Sequence, residues 1–179
     1  MAEVKRALGT TRLLTLTGMG GTGKTRLSLQ VAADVLDHYP DGVWLVEFAT
    51  IDDDSLVLET VAAALNLRQE AERPLTSTLT QFLRDRHLLL ILDNCEHVVA
   101  ACARLSEVLL RACPRLSILA SSREAMSIAG ETAWPVPPMS SLTTGGRSAP
   151  RRGRWSVWAA MRRCASLPNG PAWCARPSI

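Results

Sequence analysis

Gly18-Met19-Gly20-Gly21-Thr22-Gly23-Lys24-Thr25 has the spacing G-x-x-x-x-G-K-T and lies between two segments of opposite periodicity. Before it, Leu13-Leu14-Thr15-Leu16 reads as a buried strand; after it, Leu27, Val31 and Val35, with alanines between them, recur on one face of a helix. A strand, a glycine-rich turn and a helix in that order form an anion-binding loop. The N–H groups of such a loop point inward, and the helix adds the positive end of its dipole. Side chains at Gly18, Gly20, Gly21 and Gly23 would obstruct a phosphate's approach to that backbone. Lys24 supplies a point charge for the outer phosphates, and the Thr25 hydroxyl is the expected protein ligand of a bridging Mg²⁺. The stretch therefore predicts a site for a nucleoside triphosphate or diphosphate.

Strands and helices alternate along the rest of the sequence. Tyr39-Pro40-Asp41-Gly42 is a turn, and the β-rich run 43–48 follows it. Asp52, Asp53, Asp54 and Ser55 predict a solvated cap on a helix reaching Leu65, with Leu58, Val61, Ala62 and Leu65 inward. A further helix is expected over 75–84. Leu88-Leu89-Leu90-Ile91-Leu92 is apolar at every position, as expected of a central parallel strand covered on both faces, and it ends in Asp93. An acid at that carboxyl end is placed to reach the Mg²⁺ beside Thr25. A helix over 98–113 presents Leu105, Val108, Leu109 and Ala112 before Pro114 stops it. A strand over 115–120 leads into Ser121-Ser122-Arg123, and a last short strand is expected over 132–136. Arg123 reads either as a group that senses the terminal phosphate or as a surface arginine. The predicted fold is a three-layer α/β domain with a mostly parallel central sheet.

The net charge of +3 over 179 residues conceals two compositions. Residues 1–141 hold all 17 acidic side chains and 13 of the 20 Lys and Arg, whereas residues 142–179 hold seven arginines and no acid. The acidic body argues against direct nucleic-acid binding by this chain. No apolar run reaches the ~18 residues of a membrane span, and no leader-like core precedes Gly18, so a cytoplasmic location without membrane contact is expected. Five cysteines without framework spacing read as reduced thiols. Cys95 and His97 lack a second pair to complete a zinc site, and Cys102 and Cys113 read as small buried groups.

Four blocks follow one another in order: residues 17–27 around the loop, 90–97 (Leu-Ile-Leu-Asp-Asn-Cys-Glu-His), 118–124 (Ile-Leu-Ala-Ser-Ser-Arg-Glu) and 130–138 (Gly-Glu-Thr-Ala-Trp-Pro-Val-Pro-Pro). Together they resemble the P-loop NTPase domain of bacterial STAND-type regulatory ATPases, related to NB-ARC and AAA+ domains and found in large LuxR-type and SARP-type transcriptional regulators. The resemblance spans residues 2–142. It implies a switch that holds ADP in a closed form and exchanges it for ATP, in chains that also carry effector, DNA-binding and repeat domains. It implies that Gly18, Gly20, Gly21, Thr22, Gly23, Lys24, Thr25 and Arg26 contact the nucleotide. By the same carry-over, Thr25 and Asp93 hold Mg²⁺ and Arg123 is the sensor arginine. Asn94 stands where many related ATPases have a second acid, so the general base falls to Glu96, to another group, or to none, and hydrolysis is expected to be slow.

Two departures accompany the resemblance. The box that helps hold adenine in such domains is expected upstream of Met1, and the lid is expected beyond the Pro137-Pro138 region. Residues 143–179 read as an irregular basic tail rich in Arg, Trp and Pro, either disordered or encoded out of frame. Two other functions remain open from sequence, namely a small-molecule kinase using the same loop and a remnant without useful nucleotide binding.

Overall fold

A computed structural model describes residues 2–69 and 73–137. The expectations for the segment 143–179 and for a domain boundary at 142 lie outside the described residues. The chain opens with α1 (Ala2–Thr10) and β1 (Leu13–Thr17), then passes through the glycine loop into α2 (Lys24–Val35). It continues through β2 (Val43–Glu47), α3 (Val57–Ala64), α4 (Leu75–Leu83) and β3 (Leu89–Asp93). The last elements are α5 (Val99–Ala112), β4 (Ser117–Ser122) and β5 (Glu131–Pro135).

The five strands form one sheet in the order β2-β3-β4-β1-β5, and every pairing is parallel. Parallel strands require crossovers, and the helices that supply them cover both faces. On one face, Leu14, Leu16, Leu89, Ile91 and Leu119 pack against Val4 and Leu8 of α1 and Val31 and Ala32 of α2. On the other, Leu13, Trp44, Leu90, Leu92, Ile118 and Ala120 meet Val61 of α3, Leu79 of α4 and Cys102 and Leu109 of α5. Each such leucine contributes about 1.5–3 kcal/mol through its transfer from water. The unbroken apolar run of β3 thus reflects burial on both sides, with alternate residues facing different helix layers.

The acidic cap predicted before the second helix is divided in the structure. Asp53 Oδ1 accepts from the Ser55 backbone N–H at 2.8 Å and so caps a single 3₁₀ turn, Asp54–Leu56, which then leads into α3. Asp54 instead pairs with Arg104 of α5 at 2.9 Å. On α5 the predicted inward face is corrected: Val108 is 44% exposed and Ala112 is exposed, while Cys102, Ser106 and Leu109 are fully buried. Among the described residues no helix is long and apolar enough to cross a membrane.

Candidate functional site

Because the sheet is parallel, the carboxyl ends of β1, β3 and β4 open on one edge, where the order of strands brings them side by side. The glycine loop leaves β1 there. Gly21 and Gly23 have φ of +80° and +84°, the left-handed region that glycine enters without steric cost. Gly18 has φ +147°, and a Cβ on it would lie 3.0 Å from the Val136 carbonyl oxygen. Gly20 differs, since a Cβ there meets nothing within 4 Å and the protein itself does not require glycine at that position. Only the approach of a ligand to the backbone would.

Lys24 begins α2 and is buried, with Nζ donating to the carbonyls of Gly18 at 2.7 Å and Met19 at 3.1 Å. Thr22 donates its hydroxyl to the Met19 carbonyl at 2.9 Å. These contacts draw both side chains across the loop and fix its curvature. No side chain caps the α2 N-terminus, the end at which a helix's dipole favours an anion. Arg26 follows on the first turn of α2 and is exposed.

Thr25 and Asp93 meet, as the strand-end argument predicted: Thr25 Oγ1 donates to Asp93 Oδ1 at 3.1 Å. Asp93 is fully buried, and its Oδ2 has no hydrogen-bond partner. Burying an unpartnered carboxylate oxygen costs free energy, a cost that a cation or a water at that oxygen would offset. The Thr25 hydroxyl, with its proton directed at Asp93, keeps its lone pairs for a cation. This donor set fits a Mg²⁺ held next to phosphate oxygens.

Just beyond β3, Asn94 adopts φ +59° and turns the chain into a 3₁₀ turn, Cys95–His97, that carries Glu96. Glu96 Oε1 lies 3.4 Å from Arg123 Nε, and its Oε2 is buried without a partner. Arg123 is 62% exposed at the end of β4, so it is at once a surface arginine and a partner of the candidate base. Cys95 is buried, and its thiol is pushed well above the ordinary range, first by its hydrogen bond with Cys102 and then by burial. His97 is exposed. Sequence reasoning missed Ser121, which donates to Asp93 Oδ1 and accepts the Asn94 N–H at 3.0 Å.

The family model of the NB-ARC domain matches residues 2–138. An uncharacterised protein of Mycobacterium tuberculosis is 43% identical over 138 residues, which are 77% of this chain and 35% of that protein. A second M. tuberculosis protein, provisionally named an HTH-type transcriptional regulator, is 44% identical over 137 residues, or 76% of this chain and 15% of that one. The chain thus spans about a third or less of the length of these relatives. Among solved structures, Cdc6p from Pyrobaculum aerophilum superposes with a TM-score of 0.55 at 14% identity, over 74% of this chain and 43% of that one. Drosophila ORC bound to GC-rich DNA and Cdc6 gives 0.56 at 18% identity, over 79% of this chain and 55% of that one. At such identities the likeness concerns the fold, a P-loop α/β domain. The family match and the loop, strand and helix geometry coincide over the same residues, and the chain belongs to the NB-ARC family of nucleotide-binding NTPase domains.

Proposed function

We propose that this domain is a regulatory switch that binds ADP and ATP with Mg²⁺ and hydrolyses ATP slowly, as part of a transcriptional regulator or signalling ATPase. The observation that carries this reading is the contact of Thr25 with a fully buried Asp93 whose second oxygen lacks a partner, at the mouth of the phosphate loop. The loop N–H groups of residues 18–24 and the Lys24 ammonium would hold the phosphates, while Thr25 and Asp93 would hold the cation. Mg²⁺, when bound, would neutralise phosphate charge. Glu96, on the 3₁₀ turn that follows Asp93, has a buried oxygen without a partner, which suits a base for water; Arg123 pairs with its other oxygen. The amide of Asn94 cannot accept a proton as a carboxylate does, which favours slow turnover and a long-lived nucleotide state. The relative named as an HTH-type transcriptional regulator supports a regulatory setting.

Equilibrium titration of the full chain with fluorescent ADP in Mg²⁺, with Lys24→Ala as control, tests the reading. Saturable binding by the wild type, weakened at least about tenfold by the loss of one charged phosphate contact, is the expected result. Indistinguishable weak signals from both proteins would overturn it.

A further inference from the structure

Resting on that reading of the site, we propose that Ser121 is a positioning residue for the cation: it fixes which oxygen of Asp93 faces the metal. Ser121 is fully buried at the carboxyl end of β4. The register of β3 on β4, with Leu92 opposite Ala120, brings Asp93 and Ser121 next to one another. The Ser121 hydroxyl accepts the Asn94 backbone N–H at 3.0 Å and is hydrogen-bonded to Asp93 Oδ1.

A serine hydroxyl has one proton and two lone pairs. The Asn94 N–H can only donate, so it occupies a lone pair; the Asp93 carboxylate can only accept, so it takes the proton. The direction of the chain is therefore set: Asn94 N–H to Ser121 Oγ, and Ser121 O–H to Asp93 Oδ1. The Thr25 hydroxyl donates to the same Oδ1 at 3.1 Å. Both fixed donors lie on one oxygen. Oδ2, buried and without a partner, is thereby left as the oxygen available to a cation or to a water in its shell.

Thr25 holds Oδ1 from the side of the phosphate loop, its proton given to Asp93 and its lone pairs left for a metal, and Ser121 holds the same oxygen from β4. Ser121 is fully buried and is itself held by the N–H of the left-handed Asn94, with φ +59°, so its proton stays directed at Asp93. The device thus joins a backbone turn after β3, a side chain from β4 and the acid between them.

The test compares Ser121→Ala and Ser121→Thr with the wild type, measuring fluorescent ADP affinity against Mg²⁺ concentration and again in EDTA. Removing a partner that orients a metal ligand typically costs 10–100-fold in metal affinity. Ser121→Ala is expected to need about tenfold more Mg²⁺ for half-maximal enhancement of ADP binding, with affinity in EDTA unchanged. Ser121→Thr, which keeps the hydroxyl, is expected to restore most of the Mg²⁺ response. An unchanged Mg²⁺ response in Ser121→Ala would overturn the proposal, and so would equal loss of affinity with and without Mg²⁺, the mark of a purely structural role. Failure of the wild type itself to bind ADP would overturn the nucleotide reading instead, which separates the two failures.

Discussion

At the scale of single residues, the site divides into groups that chemistry alone identifies and groups that only pairing reveals. Lys24, Thr25 and Asp93 belong to the first set, since a glycine loop after a strand and an acid at the end of a later one imply a shared edge in any parallel sheet. Ser121 belongs to the second. A serine after a buried strand has no distinguishing signal, and its contact with Asp93 exists through the register of β3 on β4. Glu96 lies between the two, named from its place after Asn94 but given its setting by Arg123 at 3.4 Å and by the buried, unpartnered Oε2. If Glu96 acts as base, Glu96→Gln keeps the shape and removes the proton acceptor. Single-turnover ATP hydrolysis is then expected to fall about 100-fold or more, with ADP affinity within a factor of about two of wild type. The mostly exposed Arg123 adds little to folding through this pair, so a loss of turnover would not reflect unfolding. Unchanged turnover would remove Glu96 from the mechanism.

At the scale of elements, alternation of apolar runs located every strand and the boundaries moved by one or two residues. The apolar run 88–92 became Leu89–Asp93, because Asp93 still uses its carbonyl in the ladder, accepting from Phe48 N–H at 2.9 Å. The predicted strand 132–136 became Glu131–Pro135, with its register set by β1 and the Val136 N–H still donating to the Thr17 carbonyl at 2.7 Å. Helix α5 was read less well. Hydropathy pointed to Leu105, Val108, Leu109 and Ala112, yet the fully buried line runs through Cys102, Ser106 and Leu109 and on to Cys113 just past the helix. Burial of Leu105, Leu109, Cys102 and Cys113 agrees with the sequence reading; what it did not include is Ser106, a polar residue small enough to lie in the core beside Met126. The corrected face makes a sharp contrast. Leu109→Ala is expected to lower the unfolding free energy by about 2–5 kcal/mol, and Val108→Ala to change it by about 0.5 kcal/mol or less. Urea denaturation of the two variants checks this, and comparable losses would restore the sequence-based face.

At the scale of the whole molecule, the layered α/β architecture was legible because βα alternation leaves few other solutions, whereas the strand order β2-β3-β4-β1-β5 was not. Order depends on which crossover passes over which neighbour, and local sequence does not encode that. The same arrangement packs two acidic protons into the amino-terminal side of the sheet, away from the phosphate loop. Tyr39 precedes β2 and has its phenol pushed above the ordinary 10.0, chiefly by burial. Cys113 precedes β4 and has its thiol pushed above 9.0, again chiefly by burial. Each is neutral when protonated, and the folded chain holds its proton more tightly than the unfolded chain does. Above the unfolded values the folded state therefore binds more protons, and stability falls as pH rises. Below about pH 9 the contribution of both groups is fully present, so stability owed to them is flat there and declines beyond it. The slope has an upper bound of about 1.4 kcal/mol per pH unit for each group. Tyr39→Phe removes one titration while keeping the ring that packs edge-on against His87 at 5.2 Å. Urea midpoints measured from pH 7.5 to 10.5 should then show a shallower alkaline decline in Tyr39→Phe than in the wild type. Parallel declines in the two proteins would mean that the Tyr39 proton is not held by the fold.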